Sequence, residues 1–339
     1  MKKRIVVLVL GFVFLCLVVN GFAKESVWDD IGRGNSNLRA CFIDPQDSDI
    51  IYIGTNNAIL KTEDGGVVWK NLLLVSGANT AVNFLTARAG SIYAATGNGL
   101  YLSGNKGKSW KKIFQGKNAS ERECVSAAVL PYGIFVGTRS GLFFSKDKGR
   151  SWNRQPIGVA DSHILAIACD IKQPDYVYVA CAQGLYRTTD KGQSWEEVFA
   201  AIAFEDNADL SDDFEDGDES TEHTVSNIRH ASIDPNNLNR LYLATSEGVY
   251  KSEDRGKAWE MMTSFGLLSK EIKFLLITKD SAVYAVTKSG IFGHKNERWY
   301  ELSLRLVTEE IRFLSADNKG NLCAACDNGL FKAKIDFQG

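Results

Sequence analysis

Hydrophobic positions along this chain fall in short runs rather than in helical stripes. A run such as Leu38-Arg-Ala-Cys-Phe-Ile-Asp44 returns as Ile164 to Asp170, Ile228 to Asp234, Ile272 to Thr278 and Ile311 to Asp317. A turn follows, written Asp-Pro at Asp44-Pro45 and Asp234-Pro235. Next comes a second β-rich run: Ile51 to Thr55, Ile92 to Thr96, Ile134 to Thr138, Val177 to Cys181, Leu241 to Thr245 and Val283 to Thr287. A third opens with Gly and an aliphatic residue at Gly99, Gly141, Gly184, Gly248, Gly290 and Gly329. Strand-forming residues between Gly-marked turns, with no period of 3.6, predict repeating units of four strands.

The tryptophans set the count. Trp28, Trp69, Trp110, Trp152, Trp195, Trp259 and Trp299 stand 41, 41, 42, 43, 64 and 40 residues apart and include every Trp of the chain. Ahead of most runs Ser/Thr-x-Asp-x-Gly-x-x-Trp, complete at Asp64, Asp147, Asp190 and Asp254, with Asn105 in place of the acid in another unit. Such a carboxylate or amide accepts backbone N–H bonds at the head of a tight turn, Gly supplies a positive φ, and Trp carries a large apolar area into the next strand. These five residues are therefore structural. The unit before Trp299 is two residues short and degenerate.

A period near 41 with four strands per unit predicts an all-β, seven-bladed β-propeller of four-stranded antiparallel blades. The last unit, ending near Gly329 to Lys334, has three strands and no Trp, whereas Trp28 has no strands before it. Trp28 to Asp30 then supplies the outer strand of the last blade, so that the N-terminal strand closes the ring.

On these residues the chain resembles the Asp-box, or BNR, propellers, a group that includes the sortilin lumenal domain, BNR-type glycosidases and the photosystem II assembly factor. The resemblance covers nearly all of residues 24–339 and implies the fold. It leaves function open, because one propeller hosts many activities.

Composition changes the picture at the N-terminus. Lys2, Lys3 and Arg4, the apolar run Ile5 to Val19 and the small residues Gly21 and Ala23 read as a cleaved signal peptide over 1–23. The expected protein is periplasmic or secreted, with no membrane span after cleavage. Net charge of −2 indicates neither nucleic acid nor a membrane surface as partner. Six cysteines lie beyond the signal peptide, but a core of this size needs no disulfide.

Candidate chemistry is sparse. Aligned inner runs place Arg39, Arg229, Lys273 and Arg312 at one shared second position in four neighbouring units, where Ser126 and Leu165 stand in others. Guanidinium groups there suit carboxylate or phosphate recognition; pairing with rim acids such as Glu271 and Glu310 is the competing structural reading. The one long insertion, 203–224, holds ten acids between Glu205 and Glu222, among them Asp212, Asp213, Glu215, Asp216 and Asp218. An acidic loop on the same face is expected to regulate access to the cations. Its match to a calcium loop fails at Phe214 and His223. Cys323 and Cys326 read as strand filling, His163 and His230 lie near inner strands, and no acid stands out at a channel-facing position. No catalytic residue, metal site or cofactor is therefore assigned. The expected function is an exported, non-enzymatic scaffold for a protein partner in the cell envelope, an anionic ligand or glycan being further candidates; the alternative is an exported glycoside hydrolase or carbohydrate-binding propeller.

Overall fold

The structure, a computed structural model, describes residues 28–335 apart from 159–161, 171, 201–226, 305, 307, 309 and 318. Seven four-stranded antiparallel sheets follow one another, six of them running from inner to outer strand in chain order and the seventh taking its outer strand from the N-terminus. Blade 1 consists of Ala40–Ile43, Ile51–Gly54, Ala58–Thr62 and Lys70–Leu74. The inner strands of blades 2 to 7 are Val82–Arg88, Cys124–Leu130, Ile164–Cys169, Ile228–Ile233, Ile272–Ile277 and Ile311–Ala316. Among the described residues one helix occurs, Ala119–Arg122, a single turn capped by Asn118.

The ring closes as the split repeat requires. Asp29–Asp30 pairs with Leu330–Lys334, Asp29 opposite Lys332 and Asp30 opposite Phe331. Trp28 donates its indole N–H to the Leu302 carbonyl at 2.7 Å, stitching the closing strand to the preceding blade. The same stitch recurs as Trp69 to Ile31, Trp152 to Ile113, Trp259 to Val198 and Trp299 to Thr263, at 2.7–2.9 Å.

Core apolar side chains sit between blades. Leu38, Ile51 and Ile53 of blade 1 pack on Cys323, Ala325 and Leu330 of blade 7. Where blades approach most closely a glycine is needed: a Cβ on Gly54 would lie 2.5 Å from a Val82 methyl, and one on Gly137 would lie 2.5 Å from a methyl of Ile164. All six described cysteines are free, and Cys323 and Cys326 are buried, as their place in a second strand implies.

The Asp boxes act as turn devices. Asp64 accepts bonds from the Thr62 hydroxyl at 2.6 Å and the Val68 N–H at 2.9 Å, while Gly66 N–H donates to the Thr62 oxygen at 3.0 Å. Asp147, Asp190 and Asp254 repeat this arrangement. Asn105 accepts from Ser109 N–H at 2.9 Å. Hydrogen bonds from Ser194 hold the Asp190 carboxyl at about 2. The residue before the box glycine also takes a positive φ, at Lys106, Lys148, Lys191 and Arg255. The turn therefore holds two successive left-handed residues, one more than the motif's single Gly implies.

Inner strands of blades 2 to 7 share one irregularity. In blade 5, Ile228 pairs with Thr245 and His230 with Ala244, leaving Arg229 as an extra residue. Equivalent shifts isolate Asn83, Val125, Leu165, Lys273 and Arg312. In blade 1, Arg39 occupies the corresponding place just ahead of its strand and donates its N–H to Gly54. A bulge leaves its extra residue unpaired and re-aims a side chain. This register corrects the sequence alignment in blade 3, where Val125 and not Ser126 holds the second position; a skeleton of small and apolar residues hides a one-residue slip there.

Candidate binding mouth of the channel

The bulged residues of blades 2, 3, 6 and 7 meet at one end of the central channel. A cavity of about 420 Å³ is lined there by Arg39, Asn83, Val125, Lys273 and Arg312, together with Glu123, Arg139 and Glu310. Three of the four aligned cations thus meet in one cavity. Arg229 does not line it and reaches instead to Glu271 at 3.2 Å.

Four cations face two carboxylates in this mouth, and both carboxylates are engaged. Glu123 holds Arg139 at 2.5 Å, and Glu310 holds Arg312 through Nε at 2.8 Å. Arg39 has only the neutral Asn83 amide at 3.3 Å, and neither it nor Lys273 has an ion pair among the described residues. Burial, with the like charge of Arg312 behind it, lowers the Arg39 guanidinium below its ordinary value. Arg312 Nη1 is buried and has no hydrogen-bond partner among the described residues. A buried donor without an acceptor costs free energy that an incoming oxygen would recover. The mouth thus carries one buried donor and two cations with no carboxylate of their own.

Sequence reasoning missed Glu123, Arg139 and Asn83. Glu123 precedes the first residue of its inner strand just as Glu271 and Glu310 do, so the corrected register of blade 3 would have shown it. The expectation that no acid faces the channel is overturned by the same register, since Glu123 and Glu310 both line its mouth. Asp44, Asp170 and Asp234 do serve as turn formers, accepting N–H bonds from the residue two further on.

Deeper in the channel a second cavity of about 630 Å³ opens toward the other face and is lined in part by Phe84, His230, Phe274 and Phe313. Phe313 contacts both Phe274 and Phe84, at ring-centroid distances of 4.7 and 6.4 Å, and the His230 ring lies 4.2 Å from that of Phe274. His163 lines neither cavity, although the charges of Arg139 and Glu123 in the mouth act on it. Among the described residues no cluster of His, Cys, Asp or Glu could hold a metal ion, and no helix is long and apolar enough to cross a membrane. The acidic residues Asp212, Asp213, Glu215, Asp216 and Asp218, and the segment 1–23, lie outside the described residues.

Seven four-stranded blades, Asp-box turns and a ring closed by the N-terminal strand define an Asp-box β-propeller. In sequence, the model of the family described as Sortilin, neurotensin receptor 3, matches residues 98–208, and no curated protein matches the chain significantly. In structure, the chain is similar to YCF48 bound to D1 peptide, with a TM-score of 0.65 and 16% identity over 91% of this chain and 97% of that one. It is also similar to an ancestral GH74 enzyme, with a TM-score of 0.67 and 16% identity over 92% of this chain and 46% of that one. A third likeness is the extracellular domain of a putative hybrid two-component system from B. thetaiotaomicron, at 0.69 and 15%, covering 91% and 40%. The chain thus spans less than half the length of the latter two. At such identities the likeness is one of fold alone.

Proposed function

We propose that the chain is an exported, non-enzymatic scaffold of the cell envelope that binds a protein partner by seating an anionic group of that partner in the channel mouth. The observation that carries this reading is the unpartnered, buried Nη1 of Arg312 beside Arg39 and Lys273. Charge-assisted bonds to a carboxylate would satisfy it. A peptide-bound neighbour of nearly the same extent, YCF48, supports a protein as the ligand. The basic and apolar start of the chain supports export.

Immobilised protein exposed to solubilised native envelope is expected to capture a stoichiometric partner, less well at high salt. Arg312→Ala and Lys273→Ala should each weaken capture by about tenfold, the worth of one charge-assisted hydrogen bond. Equal capture by wild type and both variants would overturn the assignment of the mouth.

A second reading rests on the two carboxylates that share the cavity and on the GH74 neighbours: a glycoside hydrolase needs such a pair. Here each is engaged by a guanidinium, which favours the binding role. Hydrolysis of a polysaccharide or sialoside that Glu310→Gln abolishes would reverse that preference.

A further inference from the structure

One step along the inner strands from the bulges, aromatic rings share a single layer. The residue after the bulged one is Phe84, His230, Phe274 and Phe313 in blades 2, 5, 6 and 7, paired with Ala95, Ala244, Val286 and Ala325 of the second strands. Blades 1, 3 and 4 hold Ala40, Ser126 and Ala166 at that register position. Ala40 is small enough for Phe313 and Phe84 to meet across blade 1, with ring centroids 6.4 Å apart. His230, Phe274, Phe313 and Phe84 thus form a continuous aromatic wall in the chamber of about 630 Å³.

The polar groups of this chamber are few. Its charged lining residues, Arg88 and Asp170, have opposite signs, and both are engaged: Arg88 donates to the Val129 carbonyl and Asp170 accepts the Lys172 N–H. His230 is the polar member of the wall, and burial holds it at about 4, so the imidazole is neutral at neutral pH. Its Nδ1 is buried and has no hydrogen-bond partner among the described residues. In a neutral imidazole one nitrogen donates and the other accepts. A hydroxyl can do either and so satisfies Nδ1 in both tautomers, whereas a carboxylate can only accept and an ammonium only donate. An unmet buried nitrogen costs free energy that such a hydroxyl would recover.

We infer that the chamber is a binding site for a small neutral phenol, its ring against Phe274 and Phe313 and its hydroxyl on Nδ1 of His230. A half-turn of the imidazole about Cβ–Cγ, a soft torsion, exchanges its two edges and brings the covered nitrogen to the ligand. Aromatic pairs of this kind are worth about 0.5–1.5 kcal/mol beyond the area they bury. An aromatic lining with few polar groups and a volume of about 300–1,000 Å³ are the usual make-up of small-molecule sites. The inference goes beyond the reading of the mouth, with which the chamber shares no lining residue.

The test titrates the protein at neutral pH with three probes of one shape, naphthol, naphthalene and the anionic naphthoate, followed by probe fluorescence and saturation-transfer NMR. Naphthol is expected to bind about five- to tenfold more tightly than naphthalene, the worth of one hydrogen bond, and naphthoate more weakly than naphthol. In His230→Phe the preference for naphthol over naphthalene should vanish while naphthalene still binds, and Phe313→Ala should weaken both. No binding of naphthol up to its solubility overturns the inference. So does naphthol binding no tighter than naphthalene in the wild-type protein, a comparison that depends on no variant. A preference for naphthol that survives in His230→Phe overturns the role of Nδ1, and naphthoate binding tighter than naphthol would place the ligand on the cations of the mouth instead.

Discussion

Arg312 shows how one residue can be both paired and incomplete. Its Nε is held by Glu310, so the side chain is positioned, yet Nη1 remains without an acceptor. His230 is the other residue with a consequence in solution. Burial pushes it from 6.5 down to about 4, and burial also lowers His163 and His294. Below about 6.5 the unfolded chain takes up protons that the folded chain refuses, so stability falls as pH drops from about 6.5 to about 4. His230→Phe, which keeps a ring against Phe274, should flatten that slope in urea denaturation between pH 7 and 4. The box aspartates act in a lower window. Their stabilisation is present above about 3.8 and is lost as pH falls toward the value of about 2 seen at Asp190.

Elements matter through their junctions. The bulge at the head of the inner strand in blades 2 to 7 detaches one side chain per blade from the ladder, Arg39 holds the corresponding place in blade 1, and four neighbouring blades put a cation there. Close blade contact imposes the glycines of the second strands. Gly54→Ala drives a Cβ into Val82 and should cost about 1–3 kcal/mol in chemical denaturation, the usual penalty of overpacking. Trp299 is 1% exposed and packs among Phe292, Ile272 and Leu275. Trp299→Ala should cost about 3–5 kcal/mol by the same measurement, even though its box is degenerate. The Asn296–Glu297 hairpin, with both φ values positive, does the work of the missing turn.

For the whole molecule the closing strand decides integrity. Without Asp29–Asp30 and Trp28, Leu330–Lys334 becomes an unpaired edge, and an exposed edge invites association with another chain. A chain beginning at Ile31 is therefore expected to melt at lower temperature and to self-associate on size exclusion. If it remains monomeric and as stable as the chain that retains Trp28 to Asp30, the closure carries less energy than its contacts imply. Ring geometry also divides the channel into a charged mouth and an aromatic-lined chamber that share no lining residue.

Strand count, blade count and closure were legible in the sequence because each depends on local chemistry repeated at a fixed interval: turn residues, Gly-led strands and a Trp whose indole reaches the unit before it. Arg39, Lys273 and Arg312 could be aligned for the same reason. What repetition does not encode is the direction in which a bulged residue points or what it meets there. Arg229 and Lys273 hold the same register position, yet one reaches Glu271 and the other lines the mouth. Glu123 and Arg139 come from separate loops that only the closed ring brings together. The chain's periodicity alone thus determined the scaffold; the convergence of unrelated loop residues at its mouth was decided by tertiary structure, because neighbours across a ring are set by geometry and not by spacing along the chain.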